Sequence, residues 1–313
     1  MLTGRSITCL PSRQGVKANA FLGPGLILLS ALIFAVMDGL IKVLSSMSLS
    51  VWDIGFYRFW GGLLILLALF PENRNPFKAH RLKVLILRGI TGCIAFLALT
   101  MAIQMIPIST AMVLFYAYPA FATLFSAWVF KEQNARRGIV WAITAFLGVV
   151  LFFDARLQGG LLGQCISLIG AAFAGLAISL VKKARETDGS VLIYIHFCLA
   201  GSLICTVPFA LNPHIPVSTY EWIALGAFVV GSIIAQLLMN EGFRYCGSAQ
   251  GSILLTFEMI FVALWGFICL KEAVTWHFWV GGGIILASIV AISLQKSASE
   301  AVPGASRRDG LRT

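Results

Sequence analysis

The chain has 313 residues, of which 59% are hydrophobic and only 12% charged, with a mean hydropathy of +0.90. Soluble domains are roughly 45–50% apolar and about 25% charged, so this composition excludes a soluble enzyme, a nucleic-acid binder and a disordered chain. It leaves a polytopic helical membrane protein, and the net charge of +10, carried by residues between apolar runs, reads as an orientation signal.

A helix needs about 20 mostly apolar residues to cross the hydrocarbon. After a segment at 1–23, such runs fall at about 24–45, 52–70, 84–104, 108–130, 137–153, 160–181, 191–211, 219–239, 248–270 and 276–295. The first is longer than a signal-peptide core, holds Asp38 and Lys42, and lacks a clean cleavage motif after it. Residues 297–313 are Ser/Ala/Gly/Arg-rich and read as a disordered tail. The runs are continuous, without the alternation of a barrel strand. The predicted fold is therefore all-α, with ten transmembrane helices. The seven cysteines show no CxxC spacing and read as small hydrophobes.

With the N-terminus inside, nineteen Lys and Arg residues fall on the cytoplasmic side, in loops or at helix ends, Arg88 among them, against Arg156 and Lys271 outside. That split predicts both termini in the cytoplasm. Lys42 and Arg58 are left within spans.

The chain also repeats. Displaced by 140 residues, Lys131-Glu132 falls on Lys271-Glu272, Phe121 on Phe261, Leu124 on Leu264, Leu114 on Leu254 and Val150 on Val290. A displacement of 139 places Phe34-Ala35 on Phe173-Ala174. Five spans per half invert the second half relative to the first, giving repeats at 24–155 and 156–296 with a substrate site expected between them near the midplane.

These residues resemble a known family. Arg88-Gly89, Ile106-Pro107-Ile108-Ser109-Thr110-Ala111, Tyr118-Pro119-Ala120-Phe121 and Phe130-Lys131-Glu132 are similar to the first EamA domain of the drug/metabolite transporter superfamily. Gly247-Ser248-Ala249, Phe257-Glu258-Met259 and Leu270-Lys271-Glu272 repeat the pattern, with Met259 where the family often has Pro. The resemblance covers about 22–295 and implies two inverted five-helix repeats of an inner-membrane carrier for small organic solutes.

Charges inside spans are costly and mark function or pairing. Glu258 lies about ten residues, roughly 15 Å, into its helix, near the midplane, where it would bind a cation or proton or else brace helices. Asp38 and Lys42 are spaced i, i+4, and Asp38 and Arg58 lie at similar depth, so Asp38 would pair with one of these bases, or the bases would meet a substrate carboxylate. Asp53 and Glu221 are at span edges. Tyr118 aligns with Glu258 across the repeat and Tyr116 lies beside it; Tyr57, Trp60, Phe257 and Trp265 could complete an aromatic wall. His196 corresponds to Arg58 with one insertion and reads as packing or a proton relay. The candidate substrate-binding residues are thus Asp38, Lys42, Arg58, Tyr116, Tyr118 and Glu258, with Glu258 and His196 for proton coupling. No histidine pair has metal spacing, and neither metal nor cofactor is expected.

The leading reading is a secondary transporter working by alternating access, with proton-coupled export as one form. Uptake of an amino acid, nucleoside-like compound or vitamin is the alternative. An intramembrane enzyme would need a nucleophile–base pair or metal ligands deep in the spans, and no HExxH or phosphate loop is present. The expected partners are a small-molecule substrate and the lipid bilayer, not nucleic acid; a homodimer is left open.

Overall fold

The computed structural model describes residues 21–71, 79–130, 135–152, 160–261 and, beyond these, 276, 280–281, 283–284 and 287–288. The segments at 1–20 and 297–313, both Lys-Glu pairs, Trp265 and most of the 276–295 run lie outside the described residues.

Among the described residues, six helices are long and apolar enough to cross a membrane: α1 (Leu22–Ser46), α2 (Val51–Leu69), α3 (Leu82–Met105), α7 (Leu161–Ala184), α8 (Ser190–Leu211) and α9 (Thr219–Tyr245). Shorter helices are α4 (Ile108–Phe115), α5 (Tyr118–Phe130), α6 (Ala135–Phe152) and α10 (Ser248–Leu255). Leu29, Leu64, Ile86, Leu203 and Ile223 are exposed on this bundle, as expected where the solvent is lipid rather than water.

The helix starts show why some acids sit at span edges. Ser50 and Asp53 form a capping box at the start of α2, and Ser218 and Glu221 form another at α9. Helix α9 runs six residues past the apolar window because its polar end is satisfied from outside: Asn240 donates to the Ser190 carbonyl at 3.3 Å, and Glu241 accepts from Arg185 and Ser190 at 2.7 Å.

Among the described residues, two of the predicted spans are broken. Between α4 and α5 the chain turns at Tyr116-Ala117, and after α10 it turns at Thr256 before resuming a helix over 257–261. Pro119 supplies no N–H donor in the first turn of α5. At Met259 that reason is missing; instead the Thr256 hydroxyl donates to the Ile253 carbonyl at 2.6 Å, a back-bond that bends helices. Tyr116 and Thr256 are 140 residues apart, so the break recurs at one repeat position.

The packing follows the same register. Helix α1 lies antiparallel on α9, with Gly23 against Tyr245 and Cys246 and Gly231 against Met37. Helix α7 lies antiparallel on α3, with Gly163 against Met105 and Ile106 and Gly170 against Ala98. The Gly23 and Gly163 contacts superpose at a displacement of 140. Helices α2 and α8 cross where Gly55, Gly62 and Gly201 admit Cys205, Cys198 and Phe59.

Polar clasps stand at both ends of the bundle. At one end Asp53 accepts the His214 N–H at 3.1 Å and Tyr57 donates to the His214 carbonyl at 2.9 Å. At the other, Asp188 accepts the His80 N–H at 2.8 Å, beside ion pairs Arg81–Glu186 at 2.9 Å and Arg185–Glu241 at 2.7 Å.

Candidate functional site

Between the halves lies a cavity whose empty space, its open mouth included, is about 830 Å³. Each half presents matching positions to it. At a displacement of 140, Phe34 falls on Ala174, Met37 on Ala177, Asp38 on Ile178, Arg88 on Phe228, Phe96 on Gln236, Leu99 on Met239, Phe115 on Leu255 and Tyr118 on Glu258, and all sixteen line the cavity. The register of 139 read from Phe34-Ala35 is therefore corrected by one residue for the first helix of each half.

The cationic wall is built by α2 and α3. Arg58 and Arg88 are 6% and 3% exposed, and no ion pair joins either to an acid among the described residues. Aromatic faces hold them instead. The Arg58 guanidinium carbon stands 4.0 Å from the Phe96 ring centre and 5.6 Å from that of Phe197, and that of Arg88 stands 4.7 Å from the same Phe197 ring. Gly92, one turn on from Arg88, leaves the room its guanidinium occupies. The Nε atoms of both arginines and Nη1 of Arg88 have no hydrogen-bond partner among the described residues.

The acidic wall is built by α1 and the break after α10. Asp38 is buried, and its carboxyl and that of Glu258 are within hydrogen-bonding reach of each other. A carboxylate has no donor, so a bond between them needs one proton. Tyr118 borders them and donates to the Ser252 carbonyl at 3.1 Å, tying the two helix breaks together. Gln236 joins the lining from α9.

The structure thus brings four of the predicted residues, Asp38, Arg58, Tyr118 and Glu258, to one cavity. Lys42 is exposed and outside the lining, and no ion pair joins Asp38 to Lys42 or Arg58 among the described residues. Tyr116 is buried beside Tyr118, ring centres 6.1 Å apart, but is not in the lining. His196 is buried with Nδ1 2.9 Å from the Leu192 carbonyl, and its own carbonyl packs against Gly89; it lies outside the lining too.

The aromatic wall differs from expectation. Tyr57 is one residue and Trp60 two residues from Arg58, so a turn of 100° per residue aims both elsewhere. Tyr57 reaches His214, and Trp60 donates to Thr206 at 2.9 Å. Phe257 faces Phe261, and the rings that line the cavity are Phe34, Phe96, Phe115, Phe197 and Phe228 with Tyr118.

Arg88 and Gln236 were not anticipated as site residues. Arg88, assigned to a helix end by its nearness to a basic loop, sits six residues into α3, about 9 Å at 1.5 Å per residue. The signal that would have found it is its alignment with Phe228, in the middle of an apolar run.

The wider relationships agree with this architecture. A solved protein structure superposes with a TM-score of 0.71, covering 90% of this chain and 99% of that one at 16% identity, which speaks for the fold alone. The pseudopaline exporter of Pseudomonas aeruginosa is 24% identical over 274 residues, covering 87% of this chain and 95% of the exporter. The S-adenosylmethionine uptake transporter of Rickettsia prowazekii is 24% identical over 206 residues, covering 66% and 69%. Residues 21–154 and 161–294 each match the EamA-like transporter family, and the chain belongs to that family, as a multi-pass membrane transporter with two EamA repeats.

Proposed function

We propose that this protein is a secondary transporter that moves a small organic metabolite across the cytoplasmic membrane by alternating access, as a proton-coupled exporter. The observation that carries this reading is the cavity lined by equivalent positions of both halves. Rocking one half against the other would expose such a site to either side in turn. The antiparallel contacts of α1 with α9 and of α7 with α3 support ten spans in two inverted repeats, at 24–155 and 156–296. The proposed site is Asp38, Arg58, Arg88, Tyr118, Gln236 and Glu258, with Glu258 as the proton-coupling group. Export is favoured over uptake because the relative matched along nearly its whole length is named an exporter.

The test is counterflow in proteoliposomes loaded with fractionated metabolites, with and without a pH gradient. Saturable exchange of one fraction, accelerated by the gradient, is expected; absence of flux for every fraction would defeat the carrier reading. The basic clasp around Asp188 supports cytoplasmic termini. Reporter fusions after Asp188 should read cytoplasmic and those near His214 external, and the reverse pattern would overturn the orientation.

A further inference from the structure

The two walls of the cavity carry opposite charge. On one side stand Arg58 and Arg88, buried, turned over Phe96 and Phe197, and joined to no acid by an ion pair among the described residues. On the other stand Asp38 and Glu258, carboxyl beside carboxyl. Buried charges left without an ion-pair partner are costly, and fork-shaped guanidinium groups match a carboxylate. The empty site counts two positive charges against one negative, if the carboxyls share a proton. The complement of that arrangement is a solute with one anionic end and one cationic end.

We propose that the cavity binds a zwitterionic solute of the amino-acid type, its carboxylate held by Arg58 and Arg88 and its ammonium seated on Asp38 and Glu258 in place of their shared proton. The inference rests on the carrier reading above and names its substrate class. The charges balance. The solute arrives neutral overall, its ammonium replaces one proton, both carboxyls become carboxylates, and that proton leaves to water. Two carboxylates then face two guanidiniums and the solute's own charges cancel. Proton and solute would alternate on one pair of carboxyls, which couples their movement in opposite directions.

The surroundings of the acid pair suit this exchange. Among the described residues, the titratable groups that face it are Tyr116 and Tyr118 from the α4–α5 break and Arg58 from α2. Arg88 is the charged group α3 gives the lining, and α9 gives the uncharged Gln236. Helix α7 offers only alanines and Ile178. Among the described residues of this lining, no other carboxylate could hold an ammonium.

The experiment uses the purified full-length chain in detergent. Thermal unfolding is followed with each free L-amino acid and simple dipeptide, and with the same compounds N-acetylated or C-amidated. Free zwitterions should stabilise the protein and both blocked forms should not. In weak buffer with an indicator dye, binding should release about one proton per solute, as replacement of one shared hydrogen requires. Arg58→Gln and Arg88→Gln should weaken binding about tenfold or more, the scale of a lost charge-assisted bond, and Arg88→Lys should recover part of it. Glu258→Gln should bind without releasing a proton, its circular dichroism unchanged.

Equal stabilisation by a blocked form, no stabilisation by any compound of the set, or undiminished proton release from Glu258→Gln would each overturn the proposal. Counterflow separates the two readings. A stabilising zwitterion that is not exchanged leaves the site assignment standing and defeats the carrier. Transport of a compound carrying only one of the two charges does the reverse.

Discussion

The two halves of this protein share a backbone register and differ in chemistry at the positions that matter. At a displacement of 140, the first half offers Asp38, Arg88, Phe96 and Tyr118 where the second offers Ile178, Phe228, Gln236 and Glu258. An ionisable carboxyl or guanidinium therefore stands on at most one side of each of these pairs. A symmetric cavity lined by symmetric side chains would hold like charges against each other, at a cost in a low-dielectric setting. Divergence lets one repeat supply a charge and the other the apolar or neutral surface beside it. Duplication explains the frame; asymmetry makes the frame selective.

The shared register predicts the largest effect. A Cβ on Gly23 would lie 2.6 Å from that of Tyr245, and one on Gly163 would lie 2.6 Å from Ile106 Cγ2. The Tyr245 Cβ is fixed by its backbone and no rotamer change moves it, and behind the Ile106 methyl the Met105 Cβ stands 3.3 Å from the Gly163 position. Gly23→Leu and Gly163→Leu should each cost about 3 kcal/mol or more, the upper range of overpacking, and should fail alike in yield and monodispersity on gel filtration. If one is tolerated while the other is not, the equivalence of the two contacts is broken.

The divergent chemistry predicts the next. Exchanging Arg88 and Phe228 across the repeat, as Arg88→Phe with Phe228→Arg, keeps composition and total charge. If only the frame mattered, transport would survive. We expect a folded protein with transport reduced about 100-fold, equivalent to roughly 2.7 kcal/mol, measured as counterflow. Retained flux would show that a guanidinium at either equivalent position serves.

These positions also show what the sequence could disclose. The apolar runs set the helices, and the alignment of Tyr118 with Glu258 led to the cavity. A linear reading could not separate Asp38, which is buried, from Lys42 one turn away and exposed, because face assignment depends on which neighbours α1 packs against. Nor could it tell that Arg88 points inward. Its basic surroundings at Arg81 and Lys83 resemble a helix end, and depth becomes evident only once α3 is seen to start at Leu82. Asp53 and Glu221 were legible as edge residues, and their Ser partners three positions earlier mark the capping boxes.

A smaller effect belongs to the link between the two helix breaks. Tyr118→Phe removes the hydrogen bond to the Ser252 carbonyl and should lower stability by about 1 kcal/mol, read as a shift in thermal midpoint. Substrate affinity should change less than in the arginine variants, because the hydroxyl is engaged with backbone.

The smallest effect separates the two end clasps, and it is read through pH. Burial alone would raise the Asp188 carboxyl, but bonds from the His80 N–H, the Thr187 hydroxyl, the Arg81 N–H and the His80 ring together hold it below its ordinary value of 3.8. A group depressed in the folded state binds fewer protons there than in the unfolded chain. Its contribution is therefore fully present above the unfolded value and disappears as pH falls through the folded one. Asp188→Asn should lower the thermal midpoint at neutral pH by a few degrees at most, since one clasp among several is weakened. The decisive reading is the slope. Below about pH 4, near the ordinary carboxylate value, the wild-type midpoint should fall toward that of Asp188→Asn, and the difference between them should shrink with every step into acid. A gap that stays constant down to pH 3 would mean that the carboxylate's charge contributes nothing and that the clasp is held by packing and the neighbouring Arg185–Glu241 pair.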